Sequence, residues 1–171
     1  MIAQNNGKMS KMAYLIDGHN LIPKVAGLNL GDMDDELGLI SLLQTYCRVF
    51  RQQVEVYFDG APVGQAGSRR VGQIPVHFVK LGQTADDAIA NRLARLGRAA
   101  RNWRVVSSDR RVQAEARARG AEVVSSESFA ADLAVAQIKS SSQVPNPDQA
   151  VSPAEVDHWL ELFDKKEKPA D

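Results

Sequence analysis

The chain has 171 residues, enough for about one domain with a sizeable core. Lysine plus arginine and aspartate plus glutamate number 21 each, so the net charge is zero and gives no global sign of a polyanionic partner. No apolar run approaches the ~20 residues that span a bilayer, the start lacks a signal pattern, and Cys47, the only cysteine, cannot form an internal disulfide; a cytoplasmic location with no membrane contact is expected, and the oligomeric state is left open.

Residues 1–11 read as a disordered lead-in. Met12 to Ile16 reads as a first strand, and Asp17-Gly18-His19-Asn20 as a turn. Glycine lets the backbone fold sharply there and keeps the Asp17 carboxylate accessible. Asn20 can hydrogen-bond that turn and orient Asp17, while His19 reads as a plain loop residue. A loop with Pro23, Gly27 and Gly31 leads to a helix from about Asp34 to Phe50. Its apolar positions recur at three and four residues, acids at its start suit the helix dipole, and Arg48 lies in its last turns. Cys47 falls on the apolar stripe as a buried structural thiol.

Val54 to Phe58 is a second strand, β-branched and aromatic. Asp59-Gly60 then repeats the order strand, aspartate, glycine. Residues 60–74 read as a glycine-rich loop carrying Arg69 and Arg70, of a length that is often functional or mobile. Pro75 to Val79 is a third strand, with Pro75 pointing to an edge position. Thr84 caps a helix that opens on Asp86 and Asp87, with Ile89, Leu93 and Leu96 as its stripe and Gly97 as its stop. Trp103 to Ser107 is a fourth strand, and a helix from Arg110 to Arg119 closes on Gly120. Ala121 to Val124 is a short fifth strand, and Ser125 or Ser126 caps a helix running to about Ile138.

Strand and helix alternate, which predicts an α/β domain over residues 12–139: a central, mostly parallel sheet of about five strands with helices on both faces, three-layered and Rossmann-like. Residues 140–151, with Pro145-Asn146-Pro147, read as a linker. Residues 152–166 read as a last helix, with Pro153 at its first position.

The chemistry lies in the aspartates. Asp17, Asp59, the pair Asp86–Asp87 and Asp109 recur where strands stop or helices open. In an open α/β sheet the carboxyl ends of parallel strands line one crevice. Carboxylates gathered there repel one another unless a hard cation such as Mg²⁺ or Mn²⁺ neutralises them. Each position also has a plainer reading. Asp17 could make only a turn, Asp59 a strand-to-loop corner, and Asp86 or Asp87 a favourable first-turn charge. Adjacent helical residues point about a hundred degrees apart, so the two cannot both face one ion; Asp87 fits the cap, which leaves Asp86 for the metal. Asp109 could be only an N-cap, or Ser107 or Ser108 could cap and free it. Between Arg69 and Arg119 the chain is rich in arginine, a basic middle around an acidic pocket. Arg110 and Arg111 beside Asp109, with Arg69 and Arg70, could hold a phosphate bidentately. Few aromatics are placed to stack bases, so base readout should be weak. No glycine-rich phosphate loop follows the first strand, which argues against a nucleotide-binding Rossmann domain.

Four motifs in order, Tyr14-Leu-Ile-Asp-Gly-His-Asn-Leu-Ile22, Val56-Tyr-Phe-Asp-Gly60, Gln83-Thr-Ala-Asp-Asp-Ala-Ile89 and Val105-Val-Ser-Ser-Asp-Arg-Arg111, resemble the NYN domains of the PIN-like nuclease superfamily, specifically the YacP-like branch. The likeness covers residues 12 to about 135. It implies a PIN-like fold and a Mg²⁺- or Mn²⁺-dependent endoribonuclease, with acidic ligands at Asp17, at Asp86 or Asp87, and at Asp109, and Asp59 as a further member. Asn20, Ser107 and Ser108 fall within the same motifs as candidate substrate contacts. The expected substrate is mRNA or ribosomal RNA, on or near the ribosome. The competing expectation is a catalytically silent RNA- or ribosome-binding module on the same scaffold.

Overall fold

A computed structural model describes residues 11–30, 33–62 and 64–142. Six strands form one sheet: β1 (Ala13–Asp17), β2 (Gln53–Ala61), β3 (Gly67–Val71), β4 (Ile74–Lys80), β5 (Trp103–Val106) and β6 (Glu122–Val124), in the spatial order β3-β4-β2-β1-β5-β6. Every pairing is parallel except β3 with β4. Five helices accompany them: α1 (Gly18–Leu21), α2 (Met33–Phe50), α3 (Ala85–Leu96), α4 (Arg110–Ala118) and α5 (Ser126–Ser142).

Alternation along each strand sorts side chains to two faces. Tyr14, Ile16, Val54, Val56, Phe58, Ile74 and Val76 pack with Leu39, Leu43 and Tyr46 of α2 and Phe129 and Leu133 of α5. Leu15, Tyr57, Val79 and Val105 pack with Ile89 and Leu93 of α3 and Val112 of α4. The fold is therefore the three-layer α/β sandwich expected. Cys47 is buried and unpaired, and burial pushes its thiol up to about 11.

Three details depart from the sequence reading. Residues 60–74 are not one loop: β2 runs on to Ala61, and Gly67–Val71 is a sixth strand. That strand reads Gly-Ser-Arg-Arg-Val and is exposed over most of its length, so no apolar alternation marks it; its ladder to β4 across the two-residue turn Gly72-Gln73 makes it a strand. Second, β4 is an interior strand and β3 is the edge. Pro75 is tolerated because the ladder to β2 begins only at Val76. Third, Asp59 does not follow its strand but sits within β2, where the register to β4 shifts between Phe58 and Ala61 and Gly60 takes φ 74°. Such an irregularity re-aims a side chain. Residues 140–142, at the start of the expected linker, continue α5; the rest of the linker, the helix expected over 152–166 and the lead-in through residue 10 lie outside the described residues. No helix among the described residues is long and apolar enough to cross a membrane.

Candidate active site

The carboxyl ends of β1, β2, β4 and β5 lie at one end of the sheet, because all four run parallel. Asp17 closes β1 and N-caps α1, with the Asn20 amide donating to its Oδ1 at 3.4 Å. The turn expected here is thus one helical turn. Gly18 serves it through space: a Cβ would meet the Phe58 ring at 2.3 Å. Asp17 is 6% exposed. Burial first, then the charge of Asp86, pushes its carboxyl up to about 7, against the pull of the Asn20 amide. Asp17 and Asp86 each perturb the other, so the two carboxyl groups share one electrostatic environment. Asp86 is itself raised, by burial and then by Asp109, while the hydrogen bond from Asp17 and the charge of Arg111 oppose this.

Asp86 and Asp87 part company as helix geometry requires. Asp86 is half-buried among the other carboxylates; Asp87 is exposed and gives its amide to the Thr84 cap at 3.2 Å. Asp109 N-caps α4, its Oδ1 accepting from the amides of Arg111 at 2.8 Å and Val112 at 3.1 Å. Its cap uses one oxygen, and its charge is still felt at Asp86. Asp59 contributes to the same field at Asp17 and Asp86. Asp17, Asp86, Asp109 and Asp59 thus form one electrostatic cluster, and Asp87 stands outside it.

His19 is no plain loop residue. Its Nδ1 lies 2.6 Å from Asp59 and its Nε2 lies 2.9 Å from Glu36 of α2. Burial alone would lower its pKa, but the hydrogen bonds to Asp59 and Glu36 outweigh that and the net shift is upward. The imidazole therefore clamps Asp59 in place. No sequence pattern announces this, since both partners come from other elements.

The remaining candidates divide. Asn20 Oδ1 accepts from the Ser108 amide at 2.8 Å and the Ser126 hydroxyl at 2.7 Å, so its side chain ties the segment after β5 and the start of α5 to the end of β1 instead of orienting Asp17. Ser107 is fully buried and its Oγ accepts from the Asp109 amide. Ser108 donates to Glu127 and accepts from the Ser126 amide. These three side chains brace the crevice. Arg110 and Arg111 are exposed at the start of α4, beside it. Arg69 lies over the Phe78 ring at 4.3 Å. Arg70 pairs with Pro75 at the opposite end of β4, away from the aspartates.

Among the described residues no three His, Cys, Asp or Glu side chains are already converged as a ligand set. The donor set still suits a hard cation. All its members are carboxylates, and Mg²⁺ is commonly held by only one or two of these, completing its shell with water and phosphate oxygens.

A sequence model of the YacP-like NYN domain matches residues 14–166, running past the motif-bearing stretch. The crystal structure of Rae1 (YacP) from Bacillus subtilis is similar, with a TM-score of 0.65 at 21% identity over 90% of this chain and 92% of that one. A tryptophan-to-leucine variant of the same protein gives 0.61 at 22% identity over 78% and 86%. No curated protein matches the chain.

Proposed function

The chain belongs to the YacP-like NYN domain family, within a nuclease-like superfamily, and from that premise we propose that it is a Mg²⁺- or Mn²⁺-dependent endoribonuclease that hydrolyses RNA phosphodiester bonds in the aspartate crevice. The observation that carries this reading is the Asp17 carboxyl, buried and raised to about 7 by its surroundings and by Asp86. A protein holds an acid in so unfavourable a setting where a ligand makes use of it. Asp17, Asp86 and the second oxygen of Asp109 would hold the metal, and Asp59, fixed by His19, would join them. A bound ion would lower the pKa of a water and stabilise charge on the phosphate oxygens. Arg110 and Arg111 would grip the RNA backbone at the lip. The substrate would be mRNA or ribosomal RNA, met on or near the ribosome.

A second reading, a catalytically silent RNA- or ribosome-binding module, draws on the absence of a converged three-donor set among the described residues. Against it, bare carboxylates repel the polyanion such a module would have to bind.

Labelled RNA incubated with and without Mn²⁺ decides between them. Cleavage should require the metal and fall by about a hundredfold or more in Asp17→Asn and Asp86→Asn, because several kcal/mol of charge stabilisation is lost. Asp87→Asn should cut within a few-fold of the parent. Tight binding without cleavage, unchanged in the two crevice variants, would leave the silent module as the answer.

A further inference from the structure

A cleft of about 740 Å³ opens on the α3 side of the sheet, between α3 and the β3–β4 hairpin. Its size is that of a small-ligand site. Its floor is an ordered polar and aromatic assembly. The rings of Tyr57 and His77 stack at 4.5 Å and 18°. Glu55 accepts from the Tyr57 hydroxyl at 3.1 Å and from two nitrogens of Arg92 at 3.0 and 2.8 Å. The Ser68 hydroxyl and His77 Nδ1 lie 2.7 Å apart. Three strands and a helix therefore hold both rings in one orientation. Tyr57 is buried beneath; the His77 side chain keeps 26% of its surface exposed. An aromatic ring backed by another ring and partly open to a cleft is a platform on which a base stacks.

The walls carry the other two features of nucleotide recognition. Glu55 is neutralised by Arg92, so Lys80 and Arg95, with no ion-pair partner among the described residues, face only Asp87 as an unpaired acid of the lining. The amides of Gln83 and Asn91 supply both donors and acceptors at the same opening. Position completes the case. Asp87 lines the cleft while Asp86, its neighbour, belongs to the aspartate cluster. Lys80 ends β4 at the same end of the sheet as Asp17. A strand lying in the crevice has the cleft directly at its flank.

We infer that the cleft is a base-reading subsite for single-stranded RNA, taking one nucleotide beside the scissile phosphate: its base on His77, its edge at Gln83 and Asn91, its phosphate at Lys80 and Arg95. This rests on the nuclease reading for the scissile phosphate, and on the cleft alone for the nucleotide. It also amends the expectation of weak base readout, because the fold stacks a histidine on a tyrosine from a different strand.

The test uses the full chain and labelled single-stranded RNA of mixed and homopolymeric sequence, with binding read by fluorescence anisotropy. Lys80→Ala/Arg95→Ala should melt at the parent temperature, since both side chains are exposed, yet bind RNA about tenfold more weakly. The slope of log affinity on log salt should drop by about 0.7, for one phosphate no longer neutralised on a single strand. Gln83→Ala and Asn91→Ala should change the base preferred at one position beside the cut, or, without cutting, the ranking of the homopolymers. Affinity, salt slope and base ranking all unchanged in the cleft variants would overturn the subsite while leaving Asp17-dependent cleavage standing. Cleft-dependent binding by a chain that never cuts would uphold the subsite and remove the nuclease reading. Full displacement of the RNA by a free nucleoside monophosphate at equal affinity would make the cleft a mononucleotide site and overturn the proposal.

Discussion

Asp17 closes a strand whose five residues are all buried, and it holds a proton there that an unfolded chain would release. Its carboxyl titrates at about 7 in the folded state against 3.8 for the free side chain. Below pH 4 both states are protonated and the residue costs nothing. Between about 4 and 7 the unfolded chain gives up its proton while the native state keeps it, so stability falls as pH rises through that window. Above 7 the penalty is constant. In chelator, Asp17→Asn should therefore match the parent near pH 4 and exceed it at pH 8, by on the order of a few kcal/mol, as read from urea unfolding at a series of pH values. A variant less stable than the parent at pH 8 would refute this account of the burial. At this scale the sequence was informative where chemistry is local. The spacing of Asp86 and Asp87 on one helical turn sets them on different faces, and the Thr84 side chain caps the helix at the Asp87 amide. It gave His19 only a loop role, because its partners Asp59 and Glu36 lie on β2 and α2, and it explained Gly18 by a sharp backbone fold where the close approach of Phe58 leaves no room for a Cβ.

Among the elements, those with an apolar rhythm were legible and the one without it was not. The strands at the centre of the sheet and the helices α2, α3 and α4 match their patterns to within a few residues. β3 carries two arginines and only Val71 against the core, so only its partner across Gly72-Gln73 reveals it, and its presence moves β4 from the edge to the interior. α5 shows how an element can matter to the site without contributing a charge to it. Its Phe129 is fully buried against Tyr14 at 5.4 Å and Tyr46 at 4.9 Å between ring centres. Its first residue, Ser126, hydrogen-bonds Asn20 beside Asp17. Phe129→Ala should cost about 3–5 kcal/mol in chemical denaturation, the range for emptying a buried phenylalanine site. A loss below about 1 kcal/mol would mean that α5 packs on the sheet by other contacts.

Over the whole molecule, a chain of zero net charge gathers Asp17, Asp59, Asp86 and Asp109 into one field at one end of the sheet. β1 and β5 are adjacent, and Asp17 and Asp109, which follow from these two strands, both act on Asp86 although most of the domain lies between them in sequence. The parallel topology makes the cluster, and neither composition nor net charge could show it. A cluster made this way is repulsive in the native state and dispersed in the unfolded one, so anything that neutralises it should stabilise the whole fold. If the crevice is a Mg²⁺ or Mn²⁺ site, the native state alone binds the ion, and stability rises as RT ln(1 + [ion]/Kd), about 2.7 kcal/mol at a hundredfold excess over Kd. For a domain of this size that corresponds to a rise of about 5–10 °C in melting temperature. The ion must displace the proton that Asp17 retains up to about pH 7, so the rise should be larger at pH 8 than at pH 6. Thermal melts with Mn²⁺ and with chelator, at both pH values, measure this directly. Asp17→Asn and Asp86→Asn should lose most of the increment, whereas Lys80→Ala/Arg95→Ala should keep it, because those cations lie in the neighbouring cleft. An equal rise in all variants, or one indifferent to pH, would place the ion elsewhere on the surface and leave the aspartate cluster without the charge that makes it tolerable.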